Sequence, residues 1–312
     1  MMIDQIGIDS LVTIKDFIRW GTSRFNEANI FFGHGTDNAF DEAAYLTLHT
    51  LHLPADTPSF YLDGHLSATE RDELIRVFKQ RVEQRLPAPY ITHEAWFAGL
   101  PFYVDERVLI PRSPIAELIE QGFAPWIEPD AIKSVLDLCT GSGCIAIASA
   151  LALPHAQVDA ADISDDALAV AQKNVETLDV AGQVQLIKSD LFGALDEKRY
   201  DVIVTNPPYV DQPEMDALPA EFRHEPTMAL ESGDDGLDAI KIILAEAASH
   251  LNDGGILIAE VGASQPQLEE AFPELPFTWL EFERGGSGIF LLTKEQLPRN
   301  IYLIADRIAQ II

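Results

Sequence analysis

The sequence predicts an α/β fold, a doubly wound, mostly parallel seven-stranded sheet preceded by a small helical domain. Three observations carry this. Strand-like and helix-like segments alternate from residue 133 onward. The first ninety or so residues place apolar side chains at helical spacing between polar loops. The last two strand-like segments are separated by Arg284-Gly285-Gly286-Ser287, which reads as a hairpin connection.

In the N-terminal part, Asp9 or Ser10 is expected to cap a helix running to about Asn26, and Thr36-Asp37-Asn38 precedes a second helix through Leu51. Ser67-Ala68-Thr69-Glu70 matches a capping box and opens a third, with Leu74, Ile75, Phe78 and Val82 on one face. Segments 32–37 and 53–64, rich in Gly, Pro and Asp, are loops. Prolines 87, 89, 101 and 111 then punctuate the β-like runs Ala95-Trp96-Phe97 and Pro101-Phe102-Tyr103-Val104, giving a linker with a hairpin. A helix is expected over 113–122.

The alternating part follows: strand 134–138, helix 143–152, strand 157–161, helix 165–178, strands 184–187 and 201–205. A long loop to about Gly236 precedes helix 237–251, strand 256–261, a helix from Gln265 to Ala271, and the final pair 278–283 and 288–293. Ile301 to Ile312 is a candidate amphipathic helix. The expected division is a helical substrate-recognition domain over 1–86, a hairpin linker over 87–111 and a catalytic domain over 112–312.

Fifty acids face 21 bases, a formal charge of −29. Such a field repels phosphate and anionic membrane and favours basic partners or cationic ligands, so direct nucleic-acid binding is disfavoured. The two cysteines, Cys139 and Cys144, form neither a disulfide framework nor a metal-ligand spacing. They read as small buried residues, and no metal is expected. With no signal peptide and no membrane-spanning run, a reducing cytoplasm is the expected location.

Asp137-Leu138-Cys139-Thr140-Gly141-Ser142-Gly143-Cys144-Ile145-Ala146 ends one strand and opens a helix. Gly141, Gly143 and Ala146 fit the Rossmann-like G-x-G-x-x-G/A spacing, in which glycines let the backbone turn tightly and approach a ligand. Asp162 closes the next strand about 20 residues beyond Gly143, where an acid reaches the ribose of a nucleoside. The pattern alone fits a nicotinamide cofactor or S-adenosylmethionine. Asp137, placed to meet a methionyl ammonium, favours the latter. So does Asp190, placed to accept from an adenine amino group with Leu191 beside the ring.

The fourth strand of the sheet ends in Asn206-Pro207-Pro208-Tyr209. A planar NH₂ nitrogen is a poor nucleophile because its lone pair is delocalised. Asn206 Oδ1 and the Pro207 carbonyl can each accept one of its N–H groups, and prolines present acceptors without donors. Tyr209 can lie against the planar group. Positioning and electrostatics then carry methyl transfer, without a strong base.

With these residues the chain resembles the glutamine N-methyltransferases that modify proteins of the translation apparatus, over nearly its whole length. Val108-Leu109-Ile110-Pro111-Arg112 is similar to their linker motif. His224-Glu225-Pro226 through Ala229-Leu230, with Gly233-Asp234-Asp235-Gly236-Leu237, is similar to their post-catalytic loop. The resemblance implies a seven-stranded class I S-adenosylmethionine methyltransferase domain and glutamine binding by Asn206 to Tyr209. It also implies cofactor contacts from Gly141, Gly143 and Asp162, joined in the expected cofactor set by Asp137, Thr140, Asp190, Leu191, Asn206 and Arg112, the last lying near the site or else in a surface ion pair.

One branch of the family methylates peptide-chain release factors and usually follows Pro-Arg with Pro, an acid, Thr and Glu. Ser113-Pro114-Ile115-Ala116 is instead similar to the branch that methylates large-subunit ribosomal protein uL3, and Glu231-Ser232-Gly233 leans the same way. Ala116 means that no role of the other branch's Glu carries over. The basic protein uL3 is therefore the expected substrate and partner. The competing readings are release-factor methylation, adenine N6-methylation of nucleic acid through a similar Asn/Asp-Pro-Pro-aromatic motif, a nicotinamide dehydrogenase, and a non-catalytic assembly factor. The acidic field argues against the nucleic-acid reading, and Asn206-Pro207-Pro208-Tyr209 against the last two.

Overall fold

The computed structural model describes residues 10–297. The chain divides into two compact units: one holds the chain up to Ala95 together with Pro219–His224, the other Trp96–Leu218 and the chain from Glu225 onward. The helix expected over 301–312 lies outside the described residues, as does Asp9.

The first unit packs α1 (Ile14–Glu27), α2 (Ala39–Thr50), α3 (Ala68–Glu83) and the short α4 (Ala88–Thr92). The first helix starts later than expected, because Thr13, rather than Asp9 or Ser10, supplies the cap. Thr13 Oγ1 accepts from the Asp16 amide at 3.1 Å, and the Asp16 carboxylate accepts from the Thr13 amide at 2.9 Å. Asn38 caps α2, and Ser67 with Glu70 forms the expected reciprocal box on α3. Phe17, Phe25, Leu46, Leu74 and Phe78 fill the core. Residues Ser59–Asp63, expected as loop, form a 3₁₀ turn.

Beside that core, Arg81 is fully buried. Its Nε donates to Glu42 at 2.6 Å and its Nη2 to the Phe31 carbonyl at 2.8 Å, while Glu221 lies 3.5 Å from Nη1. Glu221 also accepts from Arg85 and from the Phe31 amide, each at 3.1 Å. A six-residue excursion from the middle of the chain thus supplies a carboxylate that the helical unit's buried guanidinium needs.

The linker forms the expected hairpin, β1 (Glu94–Phe97) and β2 (Leu100–Tyr103), turning through Ala98 and Gly99 at φ 48° and 73°. The second unit continues with α5 (Ile115–Glu120), β3 (Ser134–Leu138), α6 (Cys144–Ala152), β4 (Gln157–Asp162), α7 (Asp165–Thr177), β5 (Val184–Lys188) and β6 (Tyr200–Thr205). Then come α8 (Gln212–Ala217), α9 (Asp238–Glu246), β7 (Leu251–Glu260), α10 (Gln265–Ala271), β8 (Thr278–Trp279) and β9 (Ile289–Thr293). The seven-stranded sheet has the order β5-β4-β3-β6-β7-β9-β8, with β9 antiparallel to β7 and to β8. Alternate residues of each strand serve opposite faces. Val135, Val202 and Val204 pack with α5 and α6, while Leu136, Leu138 and Ile203 pack with α9.

Three local expectations change. The stretch expected as loop after β6 contains α8 and 3₁₀ turns. β7 begins at Leu251, not 256, and the helix expected to reach 251 ends earlier, because Tyr200 pairs with Leu251 and Val202 with Ile256, leaving the intervening residues 252–255 as a bulge. The closing hairpin is short on its β8 side. The amides of Glu283 and Arg284 donate to the Glu117 carboxylate at 2.9 and 2.8 Å, so they leave the ladder for α5.

Candidate active site

Chain order in the sheet reverses at β3, so the loops after β3 and β6 leave adjacent strand ends, the position where open α/β sheets bind ligands. The two ends are tied: Thr205 Oγ1 donates to the Leu138 carbonyl at 2.8 Å. Of the residues singled out from sequence, Gly141, Asp162, Asp190, Leu191, Asn206 and Pro208 line the cleft above these ends. Asp137, Thr140, Gly143, Pro207, Tyr209 and Arg112 do not line it; they hold the loops that do.

The glycine loop is anchored from below and from the side. Asp137 is fully buried, and its Oδ2 accepts from Thr140 Oγ1 at 2.5 Å and from the Ala146 amide at 3.0 Å. Its Oδ1 is buried with no hydrogen-bond partner, and burial pushes the carboxyl up to about 7, against the two hydrogen bonds. Asp162 Oδ2 accepts from the Gly141 amide at 2.8 Å and Oδ1 from the Ser164 amide at 2.9 Å. Burial raises its pKa too, opposed by those amides. Gly141 has φ 55°, and the space where a Cβ would stand is open. Cys144 is buried and its thiol is pushed up to about 12 by burial. Cys139 is half-buried and lines the cleft, its thiol also raised by burial.

Asn206 stands half-buried at the cleft wall, on the end of β6. Behind it Tyr209 is clamped on every polar atom. Its amide donates to the Leu230 carbonyl at 3.1 Å, its carbonyl accepts from Ser264 Oγ at 2.7 Å, and its hydroxyl donates to Glu260 at 3.0 Å. A Cβ on Gly262 would meet the Tyr209 ring at 2.5 Å, so the backbone there must be bare. Burial, then the Glu260 charge, pushes the Tyr209 phenol up.

Arg112 makes an ion pair, and with a buried acid: Glu225 accepts from Nη1 at 2.6 Å and Nη2 at 2.9 Å, and also from the Ile110 amide at 3.0 Å. Sequence reasoning assigned no site role to Glu225, Glu260 or Arg107, and read Ser113 only as part of a branch motif. Glu225 lay inside a motif already singled out, and Glu260 sits at the carboxyl end of a parallel strand, a signal that marks site residues. Arg107 lines the cleft with its guanidinium held by Asp105 at 2.8 and 2.7 Å. The hydrogen bonds from Arg107 hold the Asp105 carboxyl down at about 2.

These features fit S-adenosylmethionine. The open space at Gly141 admits a ligand against bare backbone. The unpartnered Asp137 Oδ1 offers an acceptor under the loop. Asp162, Asp190 and Asp238 give the cleft an acidic lining suited to a cationic ligand, and Ile163 and Leu191 add apolar wall beside Asp190.

A family model described as methyltransferase small domain matches residues 123–235. Two curated relatives, from Neisseria meningitidis serogroup B and Neisseria gonorrhoeae, are each named ribosomal protein uL3 glutamine methyltransferase. Both are 54% identical over 288 residues, covering 92% of this chain and 95% and 96% of theirs. Solved structures align more distantly, among them a human methyltransferase 10 domain containing protein, 22% identical with a TM-score of 0.45 over 62% of this chain and 88% of that one. Identity at this level along nearly the full length of both relatives, joined to the fold and cleft described above, places the chain in the family of the ribosomal protein uL3 glutamine methyltransferases, S-adenosylmethionine-dependent enzymes of the class I methyltransferase fold.

Proposed function

We propose that this protein methylates the side-chain amide nitrogen of a glutamine in large-subunit ribosomal protein uL3, and that Asn206-Pro207-Pro208-Tyr209 is where that amide is held. The observation that carries the reading is Asn206 on the cleft wall at the end of β6, one strand away from the glycine loop. Asn206 Oδ1 and the Pro207 carbonyl accept the two amide N–H groups, which fixes the nitrogen's direction and favours its rehybridisation. Pro207 and Pro208 keep the loop rigid and free of competing donors. Tyr209 supports the planar group. S-adenosylmethionine supplies a methyl already activated by positive sulfur. Asp162 takes the ribose, Asp190 and Leu191 the adenine, and Gly141 and Gly143 give bare backbone. Asp137 and Thr140 shape the loop and present an acceptor to the methionyl ammonium. Arg112, through Glu225, holds the linker motif against the post-catalytic loop.

The helical domain over 1–86 recognises the substrate, with 87–111 as linker and 112–312 as the methyltransferase domain. The acidic field, −29 overall, suits a basic ribosomal protein and disfavours direct nucleic-acid contact. The site of action is the cytoplasm, where ribosomal proteins meet the ribosome. Labelled methyl transfer from S-adenosylmethionine, with purified uL3 and a release factor offered side by side and the modified peptide located by mass spectrometry, tests this. Label on a glutamine of uL3 alone is expected; label on the release factor overturns the substrate, and label on neither overturns the activity.

A further inference from the structure

Glu260 ends β7 with a buried carboxylate whose two oxygens are both engaged. Oε1 accepts from the Tyr209 hydroxyl at 3.0 Å and Oε2 from the Ser113 hydroxyl at 2.5 Å. Ser113 is itself fixed, since its Oγ accepts from the Ile115 amide at 3.2 Å where α5 begins. On its other side the Tyr209 ring abuts the bare Gly262 backbone. Burial raises the Glu260 carboxyl, while the two hydroxyls and the Arg112 charge oppose that rise.

We propose that Glu260 is a positioning residue for methyl transfer: held by Ser113, it holds the Tyr209 hydroxyl, and so fixes the frame in which Asn206 Oδ1 and the Pro207 carbonyl meet the target amide. The inference rests on the reading of Asn206 to Tyr209 as the glutamine site. A carboxylate suits the task because it only accepts, so both hydroxyls must point at it and each has a single orientation. Buried networks of this kind hold geometry only when every member is satisfied, and here all three are. Ser113 opens the run Ser113 to Ala116 that distinguishes the two branches of the family in sequence. Through Glu260 that run reaches the catalytic loop.

A double-mutant cycle separates this role from simple support of the fold. With uL3 as substrate, Ser113→Ala is expected to lower kcat about fivefold to tenfold, to leave the S-adenosylhomocysteine Kd unchanged, and to be rescued by Ser113→Thr. In a Tyr209→Phe background, which has already lost the hydroxyl, Ser113→Ala should cost nothing further. Additive losses, or wild-type kcat in Ser113→Ala, would overturn the proposal. Crystal structures of Ser113→Ala and Glu260→Ala supply a readout independent of substrate: Tyr209 should leave its rotamer, and an unmoved Tyr209 overturns the positioning role. A wild-type enzyme inactive on uL3 would sink the substrate reading alone, and the Tyr209 rotamer would still decide this one.

Discussion

Arg112 and Glu225 share a two-pronged ion pair, Nη1 to Oε1 at 2.6 Å and Nη2 to Oε2 at 2.9 Å, joining the linker motif to the loop that follows β6. Glu225 is buried and also accepts from the Ile110 amide, so one carboxylate satisfies three donors. Glu225→Ala removes the carboxylate these three donors share, while Arg112 Nη1 keeps its 3.1 Å bond to the Ile110 carbonyl. The expected loss is about 2–4 kcal/mol, read as a lower urea midpoint. A midpoint within error of wild type would show that water replaces the carboxylate.

Gly141→Ala separates stability from binding. The position has φ 55° and open space for a Cβ, so the variant should fold with a loss of about 1–2 kcal/mol. The new methyl would stand in the space assigned to the cofactor. Calorimetry should find S-adenosylhomocysteine bound at least about tenfold more weakly. Unchanged affinity would move the cofactor away from the loop.

Asn206→Ala should act on the chemical step. Removing one of two acceptors aimed at the reacting amide is expected to lower kcat by about 10²–10³. The S-adenosylhomocysteine Kd should shift by less than about tenfold. Near-normal turnover with intact cofactor binding would rule out the role assigned to Asn206.

Asp137 gives stability a pH dependence of known sign. Its carboxyl is raised in the folded protein from 3.8 to about 7 by burial. A raised folded-state value means that the contribution is fully present below pH 3.8 and lost as pH rises through about 7. For so buried a group the loss is on the order of 4 kcal/mol. Asp137→Asn cannot titrate, so the difference in unfolding free energy between wild type and variant should tilt toward the variant across that window. Asp162 and Glu260 are raised by burial as well, but they are present in both proteins and cancel in the difference. Parallel stability profiles would mean that Asp137 stays ionised throughout. With the ammonium held by Asp137 as proposed, S-adenosylhomocysteine should also bind wild type more tightly as pH rises through the same window.

What the sequence disclosed was local. Ser67 with Glu70, Asn38, the strands β3 to β6 and the glycine loop each depend on residues a few positions apart, and each is found where expected to within a residue. The errors have the opposite character. Glu283 belongs to a strand pattern, yet its amide is claimed by Glu117, 166 residues away in the chain. Tyr209 was legible as an aromatic after two prolines, but the acid that holds it, Glu260, lies 51 residues on. The strand over 256–261 was legible, but its start at Leu251, where the sequence suggested the end of a helix, was not, because pairing with Tyr200 decides that. The Thr13 cap had a signal, Thr-x-x-Asp, which the earlier Asp and Ser obscured.

The short excursion Pro219–His224 bears on how the chain can be cut or recombined. A fragment ending at Ala95 would carry Arg81 without Glu221, and so would lack a piece of its own interior. The helical unit is therefore no detachable cassette. A transplanted helical unit would have to bring both its own N-terminal stretch and its own six residues from beyond β6, so the two stretches can be inherited only together.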